Sequence, residues 1–318
     1  MTTTTVRVPR PSTSKPDPVA PRCREHARGI FTISRGATPL NTETDTSETR
    51  TAYQQWVFAT RSPFHRRRTA ARHAGFLLPH LQPGMRLLDA GCGSGSITLG
   101  LAQTIAPGGV AIGIDAGAAS IKTARSLAAS GGITNVRFEV ADLYALPFEA
   151  ATFDAVFIHA VLQHLPDPLA ALREMRRVMK LGAVIGIADA DLDGSLIWPS
   201  SPALDASIRL MTELHLAEGG SPHVGRQLRT LLFDAGFARS AASVIADADG
   251  AKETTARTSA FWASYHEAPA LVAHITALGL ATEPQLRAMA DAWRKWGVNP
   301  GAFWARFWCQ AVGWAGVE

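Results

Sequence analysis

The chain has little that could hold it together covalently. Of its 318 residues only three are cysteine: Cys23, Cys92 and Cys309. They are odd in number and far apart, which excludes a disulfide framework and the paired spacing of a zinc site. A reducing, cytoplasmic setting is therefore expected. Charge is sparse as well, at 18% of residues against 47% hydrophobic. That balance excludes a wholly disordered chain and a coiled coil, and it supplies a large buried core. No run approaches the roughly 18 apolar residues that a membrane span needs. The residues after Met1 lack the apolar stretch of a secretory signal. No internal repeat is visible.

The net charge of +4 is unevenly placed. Residues 1–72 carry 13 Lys and Arg against 5 Asp and Glu, a surplus of eight positive charges; the other 246 residues carry 18 against 22. The basic character thus belongs to the front end, and the remainder is mildly acidic. A broad nucleic-acid footprint on the folded part is disfavoured.

Residues 1–50 are rich in Thr, Ser, Pro and Arg without apolar periodicity and read as a disordered basic tail. Their composition also suits an organelle transit peptide. Residues 51–82 read as an N-terminal helical cap, with Tyr53, Trp56, Val57 and Phe58 on one helix and Phe76, Leu77, Leu78 and Leu81 on a second. From Pro83-Gly84 onward, strand and helix patterns alternate. Strands are expected at 86–90, 110–114, 136–140, 153–158 and 183–188, with helices at 97–105, 118–129 and 168–179. Continuous apolar strands separated by helices mean a parallel sheet covered on both faces, a doubly wound α/β domain over 83–250. Further helices are expected at 203–217 and 225–235, with a strand at 237–246. Residues 251–301 read as a helical insertion or lid, and 302–318 as the last strand.

The chemistry concentrates where the first strand meets the first helix, in Asp89-Ala90-Gly91-Cys92-Gly93-Ser94-Gly95. Glycines there let the backbone approach a ligand, and the helix N-terminus offers free N–H groups to an anionic group. Asp115 ends the second strand, the placement of a carboxylate that grips ribose hydroxyls. A dinucleotide fingerprint starting at Gly91 needs a glycine at position 96, which is Ser96. The pattern is instead an acidic residue followed by three glycines at alternate positions. Asp142 follows the third strand, and Leu162-Gln163-His164-Leu165-Pro166-Asp167-Pro168 follows the fourth.

At these residues the sequence resembles the class I S-adenosylmethionine-dependent methyltransferases, above all the ubiquinone/menaquinone-biosynthesis and other small-molecule enzymes. The similarity is strong over roughly 83–182. The resemblance implies a seven-stranded Rossmann-like sheet whose last strand is antiparallel, with S-adenosylmethionine as cofactor. It implies that Gly91, Cys92, Gly93 and Gly95 hold the amino-acid end, with Asp89 turned toward the ammonium. Asp115, with Ala116 beside it, would take the ribose hydroxyls. Asp142 would take the adenine amino group with Leu143 against the ring, and His159 would face the methionine portion.

Transfer of a methyl group to an O, N or C nucleophile calls for alignment, exclusion of water and, for a protonated nucleophile, a base. His159 and His164 are the candidate bases, with His65 behind them. Asp189, Asp191 and Asp193 alternate after the fifth strand and, if extended, share a face near the substrate mouth. Asp191 is the candidate among them for binding or base chemistry, against the plainer reading of a solvated turn. No metal is expected, because a fourth clustered ligand is missing. Six of the eight tryptophans lie beyond residue 260 and suit either core or a lid over a flat acceptor. Arg66, Arg67 and Arg68 could meet an acceptor carboxylate or phosphate. The expected partner is thus a small molecule, with a homodimer compatible and neither nucleic acid nor a membrane span expected. Three alternatives stay open: an RNA or protein methyltransferase, a cofactor-binding protein or cyclase of this fold without methyl transfer, and a nicotinamide dehydrogenase.

Overall fold

Four short apolar runs set the register of the whole sheet. The structure, a computed structural model, describes residues 67–316. The expected tail and most of the N-terminal cap, including Trp56, Phe64, His65 and Arg66, lie outside the described residues. Strand β1 (Arg86–Ala90) pairs in parallel with β2 (Val110–Asp115) on one side and β4 (Phe153–His159) on the other. β3 (Val136–Val140) extends the sheet beyond β2, and β5 (Met179–Ala190) extends it beyond β4. Ile112, Leu88, Val156 and Ile185 fall in one register row across four strands. All four are at most 2% exposed. The preceding row, Ala111, Leu87, Ala155 and Val184, points to the opposite face, as a period of two requires.

Each row is capped by helices. Helix α4 (Pro168–Val178) and α6 (Val224–Asp234) bring Leu172, Met175, Leu228 and Leu232 to the first row. Helix α2 (Ser96–Thr104) brings Leu101 and Ala102 to the second, together with Leu77. α3 (Ala118–Ser130) covers β3 through Ile121, Ala124 and Phe138. Pro at the first turn and Asp167 accepting from the Ala170 N–H at 2.9 Å start α4 where the sequence places it.

The strand order is β3-β2-β1-β4-β5-β8, with β8 (Phe303–Ala315) antiparallel to β5 and β7 (Phe237–Asp249) antiparallel to β8 on its other side. The expected seven strands are all present, and an eighth, β6 (Leu196–Trp198), pairs with the start of β8. Three half-exposed residues carry no readable period, so β6 left no signal in the sequence. The residues before β1 also differ from expectation. Instead of a helix over Phe76–Leu81 there is a four-residue helix α1 (Ala70–His73) and one 3-10 turn at Leu78–His80, interrupted by Gly75 and Pro79.

Between β6 and β8 the chain adds a second apolar body. It is built from α5 (Pro202–Ala217), α7 (Lys252–Glu267), α8 (Pro269–Ala277) and α9 (Glu283–Gly297). Thr282 caps α9 and exchanges bonds with Gln285 in a capping box. Leu214, Tyr265, Leu271, Ile275 and Leu286 fill its centre.

Leu88 sits fully buried between two parallel neighbours, so Leu88→Ala is expected to cost about 2–5 kcal/mol in urea unfolding. Val244→Ala, at a position 57% exposed on β7, is expected to shift stability by less than about 0.5 kcal/mol.

Candidate active site

Strand order reverses at β1, whose neighbours β2 and β4 lead outward in opposite directions. A crevice must therefore open at the carboxyl ends of β1 and β4. The glycine turn lies there. Gly91, Gly93 and Gly95 have φ of +80°, +54° and +77°, the left-handed region that glycine adopts without strain. The backbone N–H groups of Gly91 and Cys92 both donate to the Ile114 carbonyl at 2.8 Å, which ties the turn to β2. A Cβ on Gly91 would stand 2.3 Å from Val161, and one on Gly95 would stand 2.7 Å from Phe138. At Gly93 a Cβ would meet nothing within 4 Å, so this glycine faces open space.

The sequence-predicted carboxylates divide by burial. Asp115 is half-buried beside Gly93 and accepts from the Gly93 N–H at 3.0 Å and the Gly117 N–H at 2.8 Å. Each oxygen keeps lone pairs for a ligand hydroxyl. Ala116 next to it is exposed. Asp142 is exposed after β3 and accepts from the Tyr144 N–H at 2.9 Å, while Leu143 packs partly into the core. Asp89 is 3% exposed and accepts from Thr98 Oγ1 at 2.6 Å, which clamps β1 to α2. Burial pushes its carboxyl up to about 7, against the Thr98 bond and with a further rise from Asp115. Burial, and then the charge of Asp89, also push the Cys92 thiol up, so it stays protonated.

The aspartates after β5 do not share a face: of the three expected at the substrate mouth, only Asp191 lines the cavity described below. β5 continues to Ala190, and Asp189 points inward with no exposed surface. It accepts from the backbone N–H groups of Leu162 at 2.8 Å and Val161 at 3.1 Å. Burial pushes its carboxyl up to about 7 despite those bonds. Asp191 is held bidentately by Arg226, with both bonds at 2.5 Å. Asp193 faces His223 at 2.6 Å and accepts from Thr212. Asp191 therefore ties β5 to α6 and is already neutralised. It is poorly placed to act as a base.

Next to the post-β4 segment lies a cavity of about 630 Å³. Ala160, Gln163 and His164 form one wall, α1 contributes Arg72 and His73, and β8 contributes Trp304, Arg306, Phe307 and Trp308. Phe261 and Trp262 of α7 and Trp293 of α9 close it. The aromatic series is thus both core and wall: Trp293 is 1% and Trp304 4% exposed, yet both reach the cavity. Arg257, Gln163 and Arg306 join this wall from three distant parts of the chain, and only Gln163 lies in a segment that the sequence singles out.

The two histidine candidates separate as well. His159 is the last residue of β4 and is buried against Trp308, with ring centroids 4.8 Å apart. Arg68 Nη1 lies 3.3 Å from its Nδ1. A guanidinium can only donate, so Nδ1 accepts and the ring proton sits on Nε2. His159 is not among the residues that line the cavity. His164 does line it, exposed and stacked on His215 at 5.3 Å. Its Nε2 lies 3.2 Å from the Gln163 amide nitrogen and accepts from it.

A doubly wound sheet with a glycine turn at its switch point and a carboxylate at the end of β2 defines a class of nucleoside-binding folds. Residues 81–219 match the family described as methyltransferase domain. Over 180 residues the chain is 33% identical to an uncharacterized methyltransferase of Schizosaccharomyces pombe, covering 54% of this chain and 64% of that protein. A probable methyltransferase of Aspergillus luteorubrus, ltbC, is 37% identical over 43% of this chain and 50% of its own length. A demethylmenaquinone methyltransferase of Staphylococcus aureus is 36% identical over 33% and 43%. The chain spans less than two thirds of the length of each of these relatives. Among solved structures, the YcgJ protein of Bacillus subtilis superposes with a TM-score of 0.52 at 19% identity, over 77% of this chain and 98% of that one. Fold and sequence thus make residues 81–219 similar to the class I S-adenosylmethionine-dependent methyltransferase domains.

S-adenosylmethionine fits what the site offers. The open side of Gly93, beside an Asp115 carboxylate with lone pairs to spare, suits a ribose diol and an amino-acid tail. Among the described residues no group of three or more His, Cys, Asp or Glu could hold a metal ion.

Asp89 and Asp189 hold their protons more tightly in the folded chain than at the ordinary carboxylate value of 3.8. Their stabilising contribution is full below that value and is lost as the pH rises through about 7. Asp89→Asn keeps an oxygen for Thr98 but removes one titration. Its urea midpoint is therefore expected to fall less than that of the unaltered protein between about pH 5 and about pH 8. An equal fall would contradict the burial of Asp89.

Proposed function

We propose that this protein transfers a methyl group from S-adenosylmethionine to a small-molecule acceptor held in the 630 Å³ cavity. One observation carries the reading: the post-β4 segment is shared by both sites. Val161 packs on the cofactor-side Gly91, while Gln163 and His164, two and three residues on, line the cavity. The methyl donor supplies an electrophilic carbon on a sulfonium, and the protein's work is to align, desolvate and take a proton.

In this reading Asp115 grips the ribose hydroxyls, and the turn from Gly91 to Gly95 cradles the amino-acid end. Asp142 and Leu143 flank the adenine, with Asp142 exposed and free to accept from its amino group through a second oxygen. Asp89 supports the turn from beneath through Thr98, and an ammonium above it would favour its charged form. His159 positions Arg68 and Trp308 rather than taking a proton. His164 is the general base, because its ring lines the cavity; for that role its Nε2 lone pair must be released from the Gln163 amide. Helices α7 and α9 act as a lid that keeps water from the acceptor. A cytoplasmic setting goes with this reading, supported by the free thiols of Cys92 and Cys309. Among the described residues no helix is long and apolar enough to cross a membrane.

Calorimetric titration with S-adenosylhomocysteine tests the cofactor assignment. Micromolar binding is expected, weakened about a hundredfold or more in Asp115→Asn, which replaces charge-assisted bonds by neutral ones. Unchanged affinity in a folded Asp115→Asn protein would sink the ribose assignment. His164→Ala is expected to lower turnover of an O–H or N–H acceptor by about a hundredfold while leaving that affinity intact. A pH–rate profile that keeps its acid limb in this variant would remove His164 as the base.

A further inference from the structure

The charges and the unmatched polar atoms of the cavity wall restrict what it can hold. Three carboxylates line the cavity, and each is already answered by the protein. Asp191 is paired with Arg226 at 2.5 Å. Asp247 is paired with Arg72 at 2.5 Å and accepts from Trp308 Nε1 at 3.0 Å. Asp249 accepts from Thr258 Oγ1 at 2.9 Å and faces Arg306 at 3.7 Å. No carboxylate is left over for a cationic acceptor. The arginines are in excess, because Arg67 and Arg257 also line the cavity, and no ion pair among the described residues engages either one.

A second observation is independent of charge. Trp304 and Gln163 are 4% and 7% exposed, and both line the cavity. Among the described residues neither Trp304 Nε1 nor Gln163 Oε1 has a hydrogen-bond partner. A buried polar atom left unmatched costs about 1–3 kcal/mol, so a ligand that reached the donor on β8 and the acceptor after β4 would recover that cost. The rest of the wall, Phe261 and Trp262 with Trp293, is aromatic and apolar.

We propose that the acceptor is an aromatic oxyanion. A planar ring system lies in the aromatic corner that Trp262 and Trp304 form, and its carboxylate or phosphate meets Arg67 and Arg257. A hydroxyl or amine N–H on the ring donates to Gln163 Oε1, and an oxygen accepts from Trp304 Nε1. The arginine fork matches both oxyanions, and a cavity of this size accommodates about two fused rings. The inference rests on the methyl-transfer reading only for the word acceptor; the cavity's preference for an aromatic anion stands or falls separately.

The test is calorimetry of three probes, 6-hydroxy-2-naphthoate, 2-naphthyl phosphate and 2-naphthol, titrated into the protein alone and with S-adenosylhomocysteine. At least one anionic probe is expected to bind about tenfold or more tightly than 2-naphthol. The stronger of the two anions assigns the acceptor as carboxylate or phosphate ester. Arg257→Gln, a change at an exposed position on α7, is expected to erase most of that difference while sparing S-adenosylhomocysteine binding. Trp304→Phe, which deletes the unmatched donor, is expected to weaken the anionic probes and 2-naphthol alike. Equal binding of 2-naphthol and both anions, binding of none of them, or an anion preference untouched in Arg257→Gln overturns the proposal. Loss of S-adenosylhomocysteine binding with the anion preference intact would instead overturn the methyl-transfer reading alone.

Discussion

The Asp189 carboxylate holds the two halves of the site together. It sits at the end of β5 with no exposed surface and accepts the backbone N–H groups of Val161 and Leu162. Those two residues follow Ala160, which adopts a left-handed φ of +57° that a residue with a side chain reaches only when its surroundings hold it there. Without the carboxylate, two buried N–H groups would lose their partner and the turn would lose its reason to be strained. With it, Val161 is pressed against Gly91 and Gln163 is presented to the cavity. One buried group thus sets the spacing between the nucleoside crevice and the acceptor chamber. Its cost is a carboxyl pushed up to about 7 by burial, offset by the backbone donors around it.

The sheet provides the rigid frame for that contact. β1, β2, β4 and β5 are locked by register rows of buried aliphatic residues, so the carboxyl ends of the strands are placed to within the tolerance of a packed core. The helical body between β6 and β8 then roofs the chamber without disturbing the nucleoside side. Its aromatic residues serve twice. Trp293 donates from Nε1 to Ser207 at 2.8 Å within the core, and its ring stacks on Trp262 at the chamber wall with centroids 5.7 Å apart.

What could be read from the sequence follows the range of the physics involved. Strands β1, β2, β4 and β5 carry apolar runs bounded by turns, and α4 carries Pro168 in its first turn. Such signals are local and were legible. So was the glycine turn, because three alternate glycines beside Asp115 have few other uses. β6 was not legible, since a three-residue strand owes its existence to the edge of β8. The aspartates after β5 misled for a related reason. Alternation predicts a shared face only while the strand continues, but β5 ends at Ala190, and Arg226 and His223 then decide where Asp191 and Asp193 point. His159 looked like a base by its place after a strand, whereas Arg68, 91 residues away, fixes its tautomer. The tryptophan-rich lid was in view but the chamber's wall was not, because Gln163, Arg257 and Trp304 meet only through the fold.

The central claim is that one segment, Ala160 to His164, separates a nucleoside site from an acceptor site. A crystal structure with S-adenosylhomocysteine bound tests this most directly. The account predicts the ribose hydroxyls on Asp115, the amino-acid tail along the open side of Gly93, and the sulfur directed past Ala160 toward the chamber lined by Gln163 and His164. A ligand bound away from the glycine turn, or one whose sulfur is walled off from that chamber, would contradict it.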